Sequence, residues 1–133
     1  MESLDFARFG TILERSNMDN KPHQSEGVRW CLSRETDKDH TTRGGIMADE
    51  MGLGKTIQML GVIVCNINKH TLIVLPKALL NQWIKSIRET FNHEPLLYHG
   101  QCVNEITEEM LSNEPIVVST YGMLDTEKNN NLL

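Results

Sequence analysis

The strongest constraint on what this chain can fold into is the stretch 43–68, RGGIMADEMGLGKTIQMLGVIVCNIN. At its centre stands Gly52-Leu53-Gly54-Lys55-Thr56. A short apolar run, Ile46-Met47-Ala48, precedes it and reads as a strand. Behind it Ile57, Leu60, Val64 and Ile67 recur at the spacing of one helix face. Strand, glycine loop and helix in that order make a phosphate-binding loop. Gly52 and Gly54 let the backbone turn so that successive N–H groups face one concavity. The helix starting near Lys55 adds its unsatisfied N–H groups and its positive end, for which phosphate oxygens are the natural guest. In such a loop Lys55 reaches the β- and γ-phosphates as a point charge, and the Thr56 hydroxyl ligates magnesium. The strict loop spacing has a further glycine at position 49, where this chain carries Asp49.

That departure points to a narrower group. Gly44-Gly45-Ile46-Met47-Ala48 followed by Asp49-Glu50-Met51-Gly52-Leu53-Gly54-Lys55-Thr56-Ile57-Gln58 resembles motif I of the Swi/Snf-related ATPases, a branch of the superfamily 2 helicases. Three further regions follow the same family pattern in the same order. Pro22-His23-Gln24-Ser25-Glu26-Gly27-Val28-Arg29-Trp30 is similar to the segment upstream of motif I. By itself this segment reads only as an amphipathic helix with Pro22 in its first turn. The resemblance makes Gln24 an adenine contact, since an amide offers a donor and an acceptor side by side. The family has an aromatic residue where this chain has His23. Residues 72–87, LIVLPKALLNQWIKSI, resemble motif Ia, in which the loop after the strand meets the DNA backbone. By position this marks Pro76 and Lys77, Lys77 as a phosphate contact of the kind that positions a protein without reading sequence. Val117-Val118-Ser119-Thr120-Tyr121-Gly122-Met123-Leu124 resembles motif Ib and marks Ser119 and Thr120 as DNA contacts.

The resemblance implies a P-loop NTPase of the α/β class: a RecA-like parallel sheet with helices on both faces, here an incomplete lobe. The alternation of strands and helices supports that class independently. Four strands are expected, at 46–48, 71–75, 95–98 and 116–120. Helices are expected over 21–34, from 55 onward, after Pro76 with Leu80, Trp83, Ile84, Ile87 and Phe91 on one side, over 103–111, and from about Thr120. Residues 1–20 read as an adapter segment in which Leu4, Phe6, Phe9, Ile12 and Leu13 line one side, with Gly10 arguing against one uninterrupted helix. Residues 21–124 form the partial ATP-binding domain, and 125–133 a polar, asparagine-rich tail at a truncation point.

The remaining features exclude more than they assign. With 133 residues the chain is one domain or less, and its 39% hydrophobic and 23% charged content is that of a globular protein. A net charge of −5 argues against strong independent DNA binding. Cys31, Cys65 and Cys102 match neither a disulfide framework nor a zinc spacing. Asp37, Asp39 and His40 lie in a polar loop without metal-ligand spacing, Arg43 is solvated there, and His99 is a loop histidine. The acidic N-terminus is no secretory signal, and the longest apolar run, 59–65, is too short to span a membrane. An intracellular chain, nuclear or viral, is the expectation.

The resemblance therefore implies binding of ATP and magnesium, with loop contacts from Asp49, Glu50, Met51, Gly52, Leu53, Gly54, Lys55, Thr56 and Ile57 and an adenine contact from Gln24. In the complete enzyme it implies translocation on double-stranded DNA. The family's acidic D-E-x-H motif does not occur in the 133 residues, and no second RecA-like lobe with its arginine finger follows. The first expectation is an ATPase piece that binds nucleotide and hydrolyses it negligibly alone. The second is a non-catalytic interaction module or split subunit that docks a partner carrying the missing half. The third, a small P-loop kinase, would need a lid and an acidic catalytic residue that the chain does not offer.

Overall fold

In this computed structural model, residues 3–15, 19, 21–36, 41–66 and 70–124 are described, with the side chains of 3–6 and 15 left aside. Asp37, Asp39, His40, Ile67 and the tail 125–133 lie outside the described residues, as do the side chains of Leu4 and Phe6. The chain divides after Asn66 into two units, Met1–Asn66 and Ile67–Leu133.

The first unit holds three helices: α1 Ser3–Arg15, α2 Pro22–Thr36 and α3 Lys55–Cys65. Both α1 and α2 pack against α3. Their shared core contains Phe9 and Leu13 from α1, Val28 from α2, and Ile57, Val62 and Cys65 from α3. At Gly61 the side chains of α1 and α2 press directly on α3. A Cβ there would lie 2.5 Å from the Phe9 ring and 3.0 Å from Val28 Cγ2. The expected break at Gly10 is absent: α1 runs straight through it. Burial of Phe9, Ile12 and Leu13 outweighs the roughly 1 kcal/mol that a mid-helix glycine costs. Within the expected adapter segment, α1 contributes Phe9 and Leu13 to this core.

The second correction concerns 46–48. Among the described residues this segment is in no ladder, and it has no strand assignment. A strand exists only where a neighbour accepts its backbone hydrogen bonds, and Ile46 is instead 87% exposed.

The second unit is a three-stranded parallel sheet of β1 Thr71–Leu75, β2 Leu96–Tyr98 and β3 Ile116–Thr120 in the order β1-β3-β2. Val118 pairs with Ile73 on one side and Leu97 on the other. All five residues of β3 are buried, as a central parallel strand requires. By contrast β1 leaves Leu72 46% exposed at the sheet edge. A 3-10 turn, Lys77–Leu79, leads into α4 Leu80–Phe91. Leu80 and Ile87 are buried, with Trp83, Ile84 and Phe91 half-buried on the same side. Trp83 therefore belongs to the packed face of α4. Asn92, at φ 50°, ends the helix in the left-handed region.

The single helix expected over 103–111 is two pieces: a 3-10 stretch, Gly100–Glu105, and α5 Glu108–Asn113. Ile106 turns inward to join Tyr98 and Val117 in the core, which breaks the helical path. Thr107 then caps α5, its Oγ1 accepting from the Met110 amide at 3.2 Å. Thr107→Ala should cost about 1 kcal/mol, visible as faster amide exchange at Met110 than in the wild type. Where a helix is expected from Thr120, the described residues show a 3-10 turn, Tyr121–Met123.

Candidate functional site: a phosphate loop at the start of α3

The approach to the loop, residues 44–50, has no regular secondary structure, and the chain turns at Met51 to Leu53. Gly52 has φ +83° and Gly54 φ +84°. Both sit in the left-handed region, where a Cβ would meet its own backbone, so glycine is required. Gly54 is the residue from which α3 starts, and no side chain caps that helix. Its first-turn N–H groups are thus left to whatever occupies the concavity. Lys55 is half-buried, its Nζ donating to the Glu50 carbonyl at 3.4 Å. Thr56 is also half-buried.

Three further contacts tie the loop to its neighbours. Gln58, in the second turn of α3, donates from Nε2 to Asp49 Oδ2 at 3.0 Å and is fully buried. This bond gives Asp49 its reason: at the place of the strict loop's glycine, the carboxylate ties the incoming chain to α3. Gln58 Oε1 has no hydrogen-bond partner and faces Gly27 of α2, where a Cβ would lie only 1.9 Å away. From α2, Gln24 Nε2 donates to the Leu53 carbonyl at 3.2 Å, and His23 Nε2 reaches the same oxygen at 3.0 Å. Gln24 is buried; a Cβ on Gly54 would fall 2.3 Å from its Nε2. A cleft of about 370 Å³ beside the loop is lined in part by His23, Glu26, Trp30, Met47, Asp49 and Gln58.

Gln24, Asp49, Glu50, Gly52, Leu53, Gly54, Lys55, Thr56 and Ile57 are therefore brought together in one unit. Met51, in the same turn, is 95% exposed. Sequence reasoning missed the Gln58–Asp49 bond. The available signal was a polar residue inside KTIQMLGVIVC, otherwise apolar nearly all round, which must find a partner. Cys31 is no candidate nucleophile: burial first, then the charges of Glu35 and Asp49, push its thiol upward and keep it protonated. Among the described residues no group of three His, Cys, Asp or Glu is arranged to hold a metal. A magnesium ion here would rely on Thr56 and the oxygens of a bound phosphate.

The DNA-contact candidates lie in the second unit. Leu75 pairs with Thr120, so the residues after β1 and β3 emerge at the same end of the sheet. Pro76 and Lys77 are exposed there, as is Tyr121 at 64%. Ser119 and Thr120 are buried. The Ser119 hydroxyl donates to the Tyr98 carbonyl at 2.9 Å, and Thr120 Oγ1 pairs with His99 Nδ1 at 3.1 Å. Both hydroxyls are engaged inside this unit, and His99, in the loop after β2 as expected, partners Thr120. No helix among the described residues is long and apolar enough to cross a membrane.

Comparison with known proteins agrees with this geometry. The family model of the SNF2-related domain matches residues 23–132. An uncharacterized ATP-dependent helicase of Schizosaccharomyces pombe is 36% identical over 119 residues, covering 83% of this chain and 11% of its own length. The human DNA excision repair protein ERCC-6-like is 32% identical, covering 92% of this chain and 10% of its own. Arabidopsis thaliana protein CHROMATIN REMODELING 24 is 41% identical, covering 77% and 10%. The solved Sulfolobus solfataricus SWI2/SNF2 ATPase core in complex with dsDNA matches with a TM-score of 0.63 at 25% identity, over 82% of this chain and 23% of that one. The chain spans about a tenth of the length of the curated relatives it matches. It belongs to the SNF2-related family of helicase-like ATPases, with the α/β, RecA-like fold of their core.

Proposed function

We propose that this chain is the ATP-binding portion of the first RecA-like lobe of an SNF2-type ATPase, and that the complete enzyme moves along double-stranded DNA in chromatin remodelling or repair. The observation that carries the reading is the loop from Gly52 to Thr56. It has two left-handed glycines, an uncapped helix start and a lysine folded back over the turn. A phosphate group suits that concavity because it accepts from backbone N–H groups and attracts the Lys55 ammonium away from the neutral Glu50 carbonyl. Gln24 stands next to the loop with an amide that can read the adenine edge. Thr56 would hold magnesium, which supplies charge neutralisation at the β- and γ-phosphate oxygens. Lys77, exposed where β1 ends, is the residue we assign to the DNA backbone; the inward engagement of Ser119 and Thr120 makes them supports of that edge.

Hydrolysis needs charge stabilisation from both sides of the γ-phosphate. This chain supplies one side, so it binds and does not turn over. A phosphate-release assay with and without duplex DNA tests this: no steady turnover is expected, and turnover lost in Lys55→Ala would overturn it. One observation favours docking as well. Ile46 is exposed in a segment that joins no ladder among the described residues, which leaves its backbone open to a neighbour from another polypeptide. Solubility gained only on co-expression with such a partner would support that second reading.

A further inference from the structure

The Leu53 carbonyl receives two donors from α2: His23 Nε2 at 3.0 Å and Gln24 Nε2 at 3.2 Å. A carbonyl oxygen has two lone pairs, and here both are engaged. Leu53 and Gly54 share one peptide plane, and that peptide is trans. In a trans peptide the C=O and N–H point in opposite directions. Holding the Leu53 oxygen against α2 therefore aims the Gly54 N–H away from α2. One donor alone would leave the plane free to pivot; two fix it. Because a carbonyl can only accept, the contact requires the His23 proton on Nε2.

We propose that His23 is a positioning residue for the phosphate loop: with Gln24 it clamps the Leu53–Gly54 peptide so that the Gly54 N–H is set for a phosphate oxygen. This rests on reading Gly52 to Thr56 as a phosphate loop. The exposed ring of His23 thus acts on the phosphate end of the nucleotide, through the backbone, and not on the base.

Two variants separate these roles in the full chain. His23→Phe keeps a ring and loses the donor. His23→Gln loses the ring and keeps a donor at a similar reach. Binding of magnesium-ATP and of tripolyphosphate, which has no base, is measured for each. The clamp predicts that His23→Phe weakens both ligands by the same factor, about fivefold for one lost hydrogen bond, and that His23→Gln recovers most of it. Weakening of ATP alone, or equal or tighter ATP binding by His23→Phe, would overturn the clamp in favour of base stacking. A ligand-free readout keeps the two claims apart. 15N relaxation should show a more mobile Gly54 amide in His23→Phe and a wild-type one in His23→Gln. If the wild type binds neither ligand, the phosphate-loop reading fails; a Gly54 amide unmoved in His23→Phe overturns the clamp itself.

Discussion

Gly54→Ala should lower affinity for magnesium-ATP by at least about thirtyfold, the equivalent of roughly 2 kcal/mol. The two causes are separable. A left-handed backbone costs an L-residue about 1–2 kcal/mol, and Gly54 sits at φ +84°. In addition, the new Cβ would lie 2.3 Å from Gln24 Nε2 and 3.1 Å from Ile57 Cγ2. Gln24 can retreat only by giving up its bond to Leu53, which adds about 1 kcal/mol. Gly52→Ala is the internal control. Its φ is the same within a degree, at +83°, but nothing lies within 4 Å of the added Cβ. It should show the backbone cost alone, a drop of about tenfold. Calorimetry on both variants checks the ranking; equal losses would mean that Gln24 does not brace the loop.

Phe9→Ala should be the most destabilising single truncation in the first unit, at about 3–5 kcal/mol. Phe9 is 1% exposed and lies against the bare Cα of Gly61, so its removal opens a void that the backbone of α3 cannot fill. Against the usual 5–15 kcal/mol of a domain, this would unfold a large part of the population. Urea denaturation followed by far-UV circular dichroism measures it. A loss below about 1 kcal/mol would show that α1 is peripheral and that the segment 1–20 is only an adapter after all.

The turn at Gly52 to Gly54 and the helix after it were legible because glycine acts directly on the backbone. Glycines at 52 and 54 and the apolar spacing after Lys55 leave few conformations, and the structure realises the expected turn and helix. Helices α2 and α4, and the strands at 71–75, 96–98 and 116–120, followed from apolar runs bounded by proline or polar residues. What was not legible depended on partners distant in sequence. The apolar triplet at 46–48 has strand composition, but a strand is a property of a pair. Gly10 reads as a breaker only until the burial of its neighbours is known. The inward turn of Ile106, which splits the acidic stretch into two pieces, answers to Tyr98 and Val117 rather than to anything local. At the site, Ser119 and Thr120 were visible as hydroxyls at a strand end, but their engagement by Tyr98 and His99 depends on how the strands align. Likewise the His23–Leu53 contact spans thirty positions, and no local spacing announces it.

The most direct measurement is a calorimetric titration of the full chain with a non-hydrolysable ATP analogue and magnesium, wild type beside Lys55→Ala. Lys55→Ala removes the ammonium that folds over the loop and leaves both glycines and the α3 core in place. The account predicts one-to-one binding by the wild type and a loss of at least about tenfold in the variant. No binding by the wild type, or equal binding by the two proteins, would contradict it, because the nucleotide would then owe nothing to the loop at the start of α3.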